Sequence, residues 1–154
     1  MTNIASALAP GAQRTLAVWH EAFVGLNGDR MRALIADDVV LHSPIVQSPI
    51  HGQDGTVLVL TTVAEIFRRF QYRRTYVGSP LEAALEFTAA IDGWELKGVD
   101  LMRFNEDGRI AEFEVMIRPL RALSALGEEI GRRIGPRLMQ IKRTGASGPL
   151  TKDS

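Results

Sequence analysis

The chain has 154 residues, 45% apolar or aromatic and 23% charged. That suits one soluble domain with a single sizeable core and excludes wholesale disorder. Its 18 Lys and Arg balance 18 Asp and Glu, so the net charge is zero and neither nucleic acid nor another polyanion is expected as a partner. The absence of cysteine rules out disulfides, thiolate chemistry, Cys-ligated zinc and iron–sulfur clusters. No apolar run approaches the roughly 18 residues of a membrane span, so no membrane association is expected. Residues 1–9 lack a basic segment leading into an apolar one, so a cytoplasmic location is expected.

Residues 1–10 read as a flexible N-terminal arm, 11–143 as one domain, and 144–154 as a flexible tail of Gly, Ser, Pro and Lys. Leu16, Trp19, Phe23 and Leu26 recur at spacings of three and four, predicting a helix over 12–26 with one apolar stripe. Asn27-Gly28-Asp29 ends it, with Gly28 as its C-cap. A short helix is predicted over 30–35, then a strand over 39–43 that Pro44 interrupts. A loop over 46–52 leads to a helix over 53–70 with Val59, Val63, Ile66 and Phe70 in its stripe. Its early part is rich in β-branched residues and needs tertiary support, while Arg68 and Arg69 suit a helix C-terminus.

From Tyr72 the period becomes two. Strands are predicted over 72–77, 82–91, 94–104 and 109–117. Turns at Gly78-Ser79-Pro80, Asp92-Gly93 and Asn105-Glu106-Asp107-Gly108 join them into an antiparallel meander. Pro119 opens a final helix whose stripe runs from Leu120 to Ile141, and Pro136 is expected to kink or end it.

One face of a meander must be covered by the helices, each of which shows a single apolar stripe. The fold class is therefore α+β: a strongly bent, cone-shaped antiparallel sheet packed on N-terminal helices, with an extra C-terminal helix. Such a sheet leaves a hollow suited to a small hydrophobic molecule. The residues expected to line it are Trp19, Phe23, Leu41, Phe67, Phe87, Trp94, Gly98, Met102, Phe113 and Val115.

The strand over 94–104 carries the most informative alternation. Trp94, Leu96, Gly98, Asp100, Met102 and Phe104 share one face, and Asp100 is its only charge. A carboxylate there must be paired, hydrogen-bonded, protonated or wetted by a pocket. Its partner is a buried backbone amide, Trp19 or a tyrosine hydroxyl, or Asp100 is a pocket acid beside the space that Gly98 leaves open, or the strand parity is the reverse and Asp100 is exposed. Of three histidines, His42 is the best general base, since a strand fixes it. Strict alternation points His42 outward with Leu41 and Ser43 inward, unless a bulge at Pro44 reverses this. Glu112 and Glu114 fall on the polar face of the last strand. Of Arg73 and Arg74, at most one reaches the hollow. The sequence lacks HExxH, a Gly-rich nucleotide loop and a GxSxG elbow, so no metal and no cofactor is expected.

Two stretches resemble the nuclear transport factor 2-like superfamily: Leu26-Asn27-Gly28-Asp29 with Leu34 through Pro44, and Gly98-Val99-Asp100-Leu101-Met102-Arg103-Phe104 through Ile110. With the element order, the resemblance covers residues 16–118. It implies a cone-like α+β barrel, commonly dimeric, with its pocket between helices and concave sheet. The nearest branch is SnoaL-like, which includes polyketide cyclases. Against the ketosteroid isomerase branch, Asp100 matches the acid that hydrogen-bonds the oxyanion. Ser43 stands where that branch has its general-base Asp before a Pro, and the tyrosine of its first helix has no match. The limonene epoxide hydrolases resemble the chain only at Asp100, since no Arg and second Asp accompany it on the inner faces.

Three functions remain open on this reading. The first is a cofactor-free acid–base enzyme of isomerase, cyclase or hydrolase type, using Asp100 with His42 or a water held by Ser43. The second is a non-catalytic binder of a small hydrophobic molecule. The third is a structural or interaction dimer with a filled cavity. A homodimer is expected through the outer sheet face, where Val99, Leu101 and Met116 stand among charged residues.

Overall fold

Ten elements follow one another in the computed structural model, which describes residues 7–146. They are α1 (Pro10–Val24), α2 (Gly28–Leu34), β1 (Ile35–His42), β2 (Ile50–His51), α3 (Gln53–Ile66), β3 (Arg68–Ser79), β4 (Glu82–Ile91), β5 (Trp94–Phe104), β6 (Ile110–Arg118) and α4 (Leu120–Ala146). The strands form one sheet in the order β2-β1-β6-β5-β4-β3. The predicted meander forms, and β1 adds a parallel pairing with β6, so the bent sheet is mixed. At Asp92-Gly93 both φ angles are positive, 47° and 78°. That is the geometry a two-residue hairpin between right-twisted strands requires.

The helices cover the concave side. α1 begins with Pro10 and buries Ala12, Thr15, Trp19, Ala22 and Phe23. Asn27 caps α2 by accepting from the Arg30 N–H at 3.0 Å. The Gln53 amide donates to the carbonyls of Arg32 and Ile35 at 3.2 and 3.1 Å, fixing the start of α3 against the α2–β1 junction. α4 packs along α3 and buries Ala122, Leu126, Ile130 and Ile134. One continuous core results, in which Trp19, Phe87, Phe104 and Phe113 are the largest fully buried side chains. No described helix is long and apolar enough to cross a membrane.

Several boundaries differ from expectation. Of the predicted arm, residues 1–6 lie outside the described residues, but Leu8 is buried and the Ala9 N–H donates to the Pro80 carbonyl at 2.8 Å. The arm's last residues are thus pinned to the β3–β4 turn. α3 ends at Ile66, and Arg68 and Arg69 open β3. Arg69 takes a positive φ of 54°, and register shifts flank Gln71 and Tyr72. The strand predicted over 72–77 forms, and these irregularities at its start broke the alternation that would have extended it back to Arg68. The short β2, expected as loop, pairs with Val40 and Leu41. α4 runs through Pro136 to Ala146 as one helix. A proline removes one helical hydrogen bond, but Ile134 and Leu138 pack on the core on either side of it, which lets the helix continue past it. The predicted tail therefore begins inside α4, and 147–154 lie outside the described residues.

Candidate functional site

Between the concave sheet and the helices lies a small cavity. β6 contributes Phe113, Val115 and Ile117, β4 contributes Phe87, and β5 contributes Asp100. Phe23 of α1, Val59, Leu60 and Val63 of α3, and Phe67 and Phe70 after it form the opposite wall. Leu41, Ser43 and Pro44 close one end, and Leu126 and Ile130 of α4 cover it. The free space is about 30 Å³, room for one or two water-sized groups. Apolar walls press in from all sides: Phe70 sits 4.8 Å from Phe23, 5.2 Å from Phe87 and 4.9 Å from Tyr72, between ring centroids.

Asp100 is the only ionisable group among the residues that line this space, and it is 5% exposed. The Tyr72 hydroxyl donates to its Oδ2 at 2.7 Å, and the Trp19 Nε1–H donates to the Tyr72 oxygen at 3.1 Å. Two of the partners left open by the sequence thus act in series, a tyrosine hydroxyl directly and Trp19 through it. Burial pushes the Asp100 carboxyl up to about 7, against which the Tyr72 hydrogen bond pulls down. Burial, and then the adjacent Asp100 carboxylate, raise the Tyr72 phenol well above its ordinary value. Tyr72 therefore stays a donor, and near neutral pH a large share of Asp100 is the neutral acid. With Oδ2 taken by Tyr72, that acid's proton resides on the other oxygen, which leaves it one hydrogen bond to donate. Ser43, the other polar residue at the cavity, accepts from the Ile45 N–H at 3.1 Å.

Phe23, Leu41, Ser43, Phe67, Phe87, Asp100, Phe113 and Val115 line the cavity as expected. Five other expected residues do not. His42 points to the outer face, where its Nε2 lies 3.1 Å from Glu112 Oε1. The irregularity in β1 falls between Ile35 and Val40, so Pro44 does not turn His42 inward. Trp19 stands behind Phe113, at 5.5 Å. Met102 is buried one step beyond the cavity, paired with Phe113 and Ala83. Trp94 is 40% exposed under the Arg121 guanidinium, because β5 begins beyond the helices' cover. Gly98 leaves no room for a ligand: a Cβ there would collide with Phe87 Cζ and lie 2.7 Å from the Met116 carbonyl oxygen. Its missing side chain admits the Phe87 ring. Neither Arg73 nor Arg74 reaches the cavity, since they bond Thr88 and Glu86 on the outer face.

Sequence reasoning offered a tyrosine hydroxyl as donor to Asp100 without singling out Tyr72, and missed the cover formed by Leu126 and Ile130. The first carried a signal, since the chain has only two tyrosines and a buried carboxyl needs a donor.

The curled sheet with helices on its concave side is the architecture of proteins with a cystatin-like or nuclear transport factor 2-like fold. The chain belongs to the SnoaL-like domain family, whose model matches residues 16–113. Among solved structures, it is similar to a steroid delta-isomerase from Pseudomonas aeruginosa, with 39% identity over 86% of this chain and 97% of that one, at a TM-score of 0.79. It is also similar to a protein with a cystatin-like fold from Silicibacter pomeroyi, with 30% identity over 89% of this chain and 95% of that one, at a TM-score of 0.80. A nuclear transport factor 2-like protein from Mesorhizobium loti, 20% identical over 72% of this chain and 93% of that one, shares the fold at a TM-score of 0.63. No curated protein matches the chain.

Proposed function

We propose that the protein binds a small, neutral, largely apolar molecule whose single oxygen accepts a hydrogen bond from the neutral Asp100 carboxyl. The observation that carries this reading is the position of Asp100, the one ionisable group on an otherwise apolar cavity, held by Tyr72. A buried carboxyl kept neutral near pH 7 donates where a carboxylate would only accept. A ring is larger than the present free space, so it enters only as Leu126 and Ile130 shift outward or the Phe67 and Phe70 rings turn.

Binding without turnover fits the residues better than proton transfer. Ser43 occupies the end of the cavity where a base would act, and a serine hydroxyl is no base at neutral pH. A second reading, isomerase chemistry on a steroid or similar cyclic ketone, rests on the 39% identity to the Pseudomonas aeruginosa enzyme. It requires a proton acceptor besides Asp100 while Asp100 holds the ketone oxygen, and no second ionisable group lines the cavity.

The test uses acetonaphthone, a neutral aromatic ketone, against ethylnaphthalene, a hydrocarbon of similar shape, with Trp19 fluorescence as readout. The ketone should bind more tightly than the hydrocarbon. Asp100→Ala should weaken ketone binding by about 1–3 kcal/mol and leave the hydrocarbon unaffected, and Asp100→Asn, which keeps a donor, should retain it. Equal affinity of wild type and Asp100→Ala for the ketone refutes the reading. Conversion of a steroid substrate by the wild type would favour the second.

A further inference from the structure

β3 is an edge strand of the sheet and is bulged at two places in its first half. Arg69 and Phe70 stand opposite Ala89 alone, between the pairs Arg68–Ala90 and Gln71–Thr88. Arg73 has no cross-strand partner between the pairs Tyr72–Phe87 and Arg74–Glu86. A bulge re-aims the side chains around it. At the first, Phe70 turns into the cavity, while Arg69 takes its positive φ of 54° and faces outward. At the second, Arg73 and Arg74 both face outward, which strict alternation forbids. Bulges and cations on an edge strand also oppose edge-to-edge pairing, but that role asks nothing of the neighbouring strands. Here β5 adds Lys97 and β6 adds Arg118. With Arg69 and Arg73 they border one cleft of about 490 Å³, in which Glu95 is the only carboxylate.

Polar contacts order this cleft. Thr88, Lys97 and Arg118 lie in one row across β4, β5 and β6, at strand spacings of about 4.8 Å. The Thr88 hydroxyl accepts from Arg73 Nε at 2.9 Å, which orients the guanidinium and leaves its two terminal nitrogens to donate. Lys97 shares Glu86 with Arg74. Arg69, Arg73 and Arg118 have no ion-pair partner among the described residues. Three guanidinium groups against the single carboxylate of Glu95 leave two positive charges unbalanced.

We infer that the cleft binds a compact dianion, the phosphate of a small soluble phosphomonoester. Such a group carries close to two negative charges near neutral pH, and guanidinium forks match its oxygens in pairs. An extended polyanion fits the face less well. Laid along the strands, it would meet Glu82, Glu112 and Glu114 at the other end, where like charges oppose it. This inference is independent of the apolar ligand, since no residue lines both the cleft and the cavity.

The experiment is isothermal titration calorimetry on the full chain, at constant ionic strength and about pH 8. Phenyl phosphate, a dianion there, is compared with benzenesulfonate, a monoanion of similar shape. The wild type should take up one phenyl phosphate per chain and hold it about fivefold or more tightly than benzenesulfonate. Arg73→Gln and Arg118→Gln should each weaken phenyl phosphate by a similar factor. Thr88→Val, which frees the Arg73 side chain, should weaken it less. Arg14→Gln, on the exposed side of α1, should leave the affinity as it is, which separates the cleft from the chain's overall charge. Urea midpoints equal to that of the wild type show that the variants remain folded. Absence of saturable uptake by the wild type overturns the proposal. So does equal affinity for the two probes, binding that survives both cleft substitutions, or an equal loss in Arg14→Gln. Binding to vesicles containing phosphatidic acid in preference to phenyl phosphate overturns it too, since the phosphate would then be a lipid's.

Discussion

Asp100 and Glu86 sit on neighbouring central strands, one register step apart: Leu85 pairs with Asp100 and Glu86 with Val99. They face opposite sides of the sheet and behave oppositely. Glu86 is hydrogen-bonded by the Arg74 guanidinium and by Lys97, and these hold its carboxyl below the usual range. Asp100 has one neutral donor, Tyr72, and burial carries it up to about 7. Burial opposes ionisation of both groups. At Glu86 cations outweigh it, while at Asp100 a single hydroxyl does not. The difference separates a solvated face built for ion pairs from a dry one that keeps an acid neutral.

Stability as a function of pH is the strongest test of that contrast. Asp100 binds its proton more tightly in the folded chain than in the unfolded chain. Its cost is therefore absent below the ordinary Asp value, grows as pH rises toward about 7, and levels off above that. By about pH 8 the folded state should have lost on the order of 4 kcal/mol through this one group. Asp100→Asn should remove that slope, match the wild type near pH 4, and be the more stable protein at pH 8 in urea unfolding. Glu86 contributes in the opposite sense: its stabilisation is present above the ordinary Glu value and is lost as pH falls through the lower folded value. A wild-type curve that is flat between about pH 4 and pH 7 would place Asp100 on the wet side of the contrast.

The second test is steric. Gly98 pairs with Phe87 on the cavity side, and a methyl group there meets both the ring and the Met116 backbone oxygen. The ring can turn, but the β6 carbonyl is held in the sheet. Gly98→Ala should cost about 1–3 kcal/mol, read as a lower urea midpoint at unchanged slope. An Ala variant as stable as wild type would mean that the inner face has slack, and that the space beside Asp100 is larger than the packing around it implies.

These two residues also mark how far the sequence could be read. β5 alternates without interruption, so the inward position of Asp100, the charge of the outer face and the hairpin at Asp92-Gly93 were all legible from residue order. Of β3 only the stretch 72–77 was, because a positive φ at Arg69 and two register shifts distort its start and set Tyr72 beside Asp100 by geometry that no period records. Gly98 was legible as a missing side chain, but its occupant was not: a gap beside a strand is equally open to a ligand or to the ring of Phe87. The cover from α4 was hidden for a related reason. Its stripe marks Leu126 and Ile130 as buried without saying which surface buries them, and Pro136 suggested a break that packing overrides.

The smallest expected effect concerns His42, the best general base the sequence offered. Its neighbours Leu41 and Ser43 line the cavity, and β1 keeps regular register with β6 from Val40 through His42. The imidazole therefore lies outside, against Glu112, which also accepts from the Arg103 Nε–H at 3.3 Å. His42 and Glu112 are each more than a third exposed in their side chains, at 34% and 42%, so solvent screens the pair. Removing His42 leaves Glu112 with Arg103 and leaves no charge stranded in the core. His42→Ala should change stability by less than about 1 kcal/mol and should leave acetonaphthone affinity as it is in the wild type. A change of that size separates an outer-face ion pair from an inner-face group, because loss of the Asp100 carboxyl is expected to be felt in ligand binding. If His42→Ala instead weakened the ketone about tenfold while Asp100→Ala did not, the two faces would have exchanged roles and the chemistry would lie on the outer one.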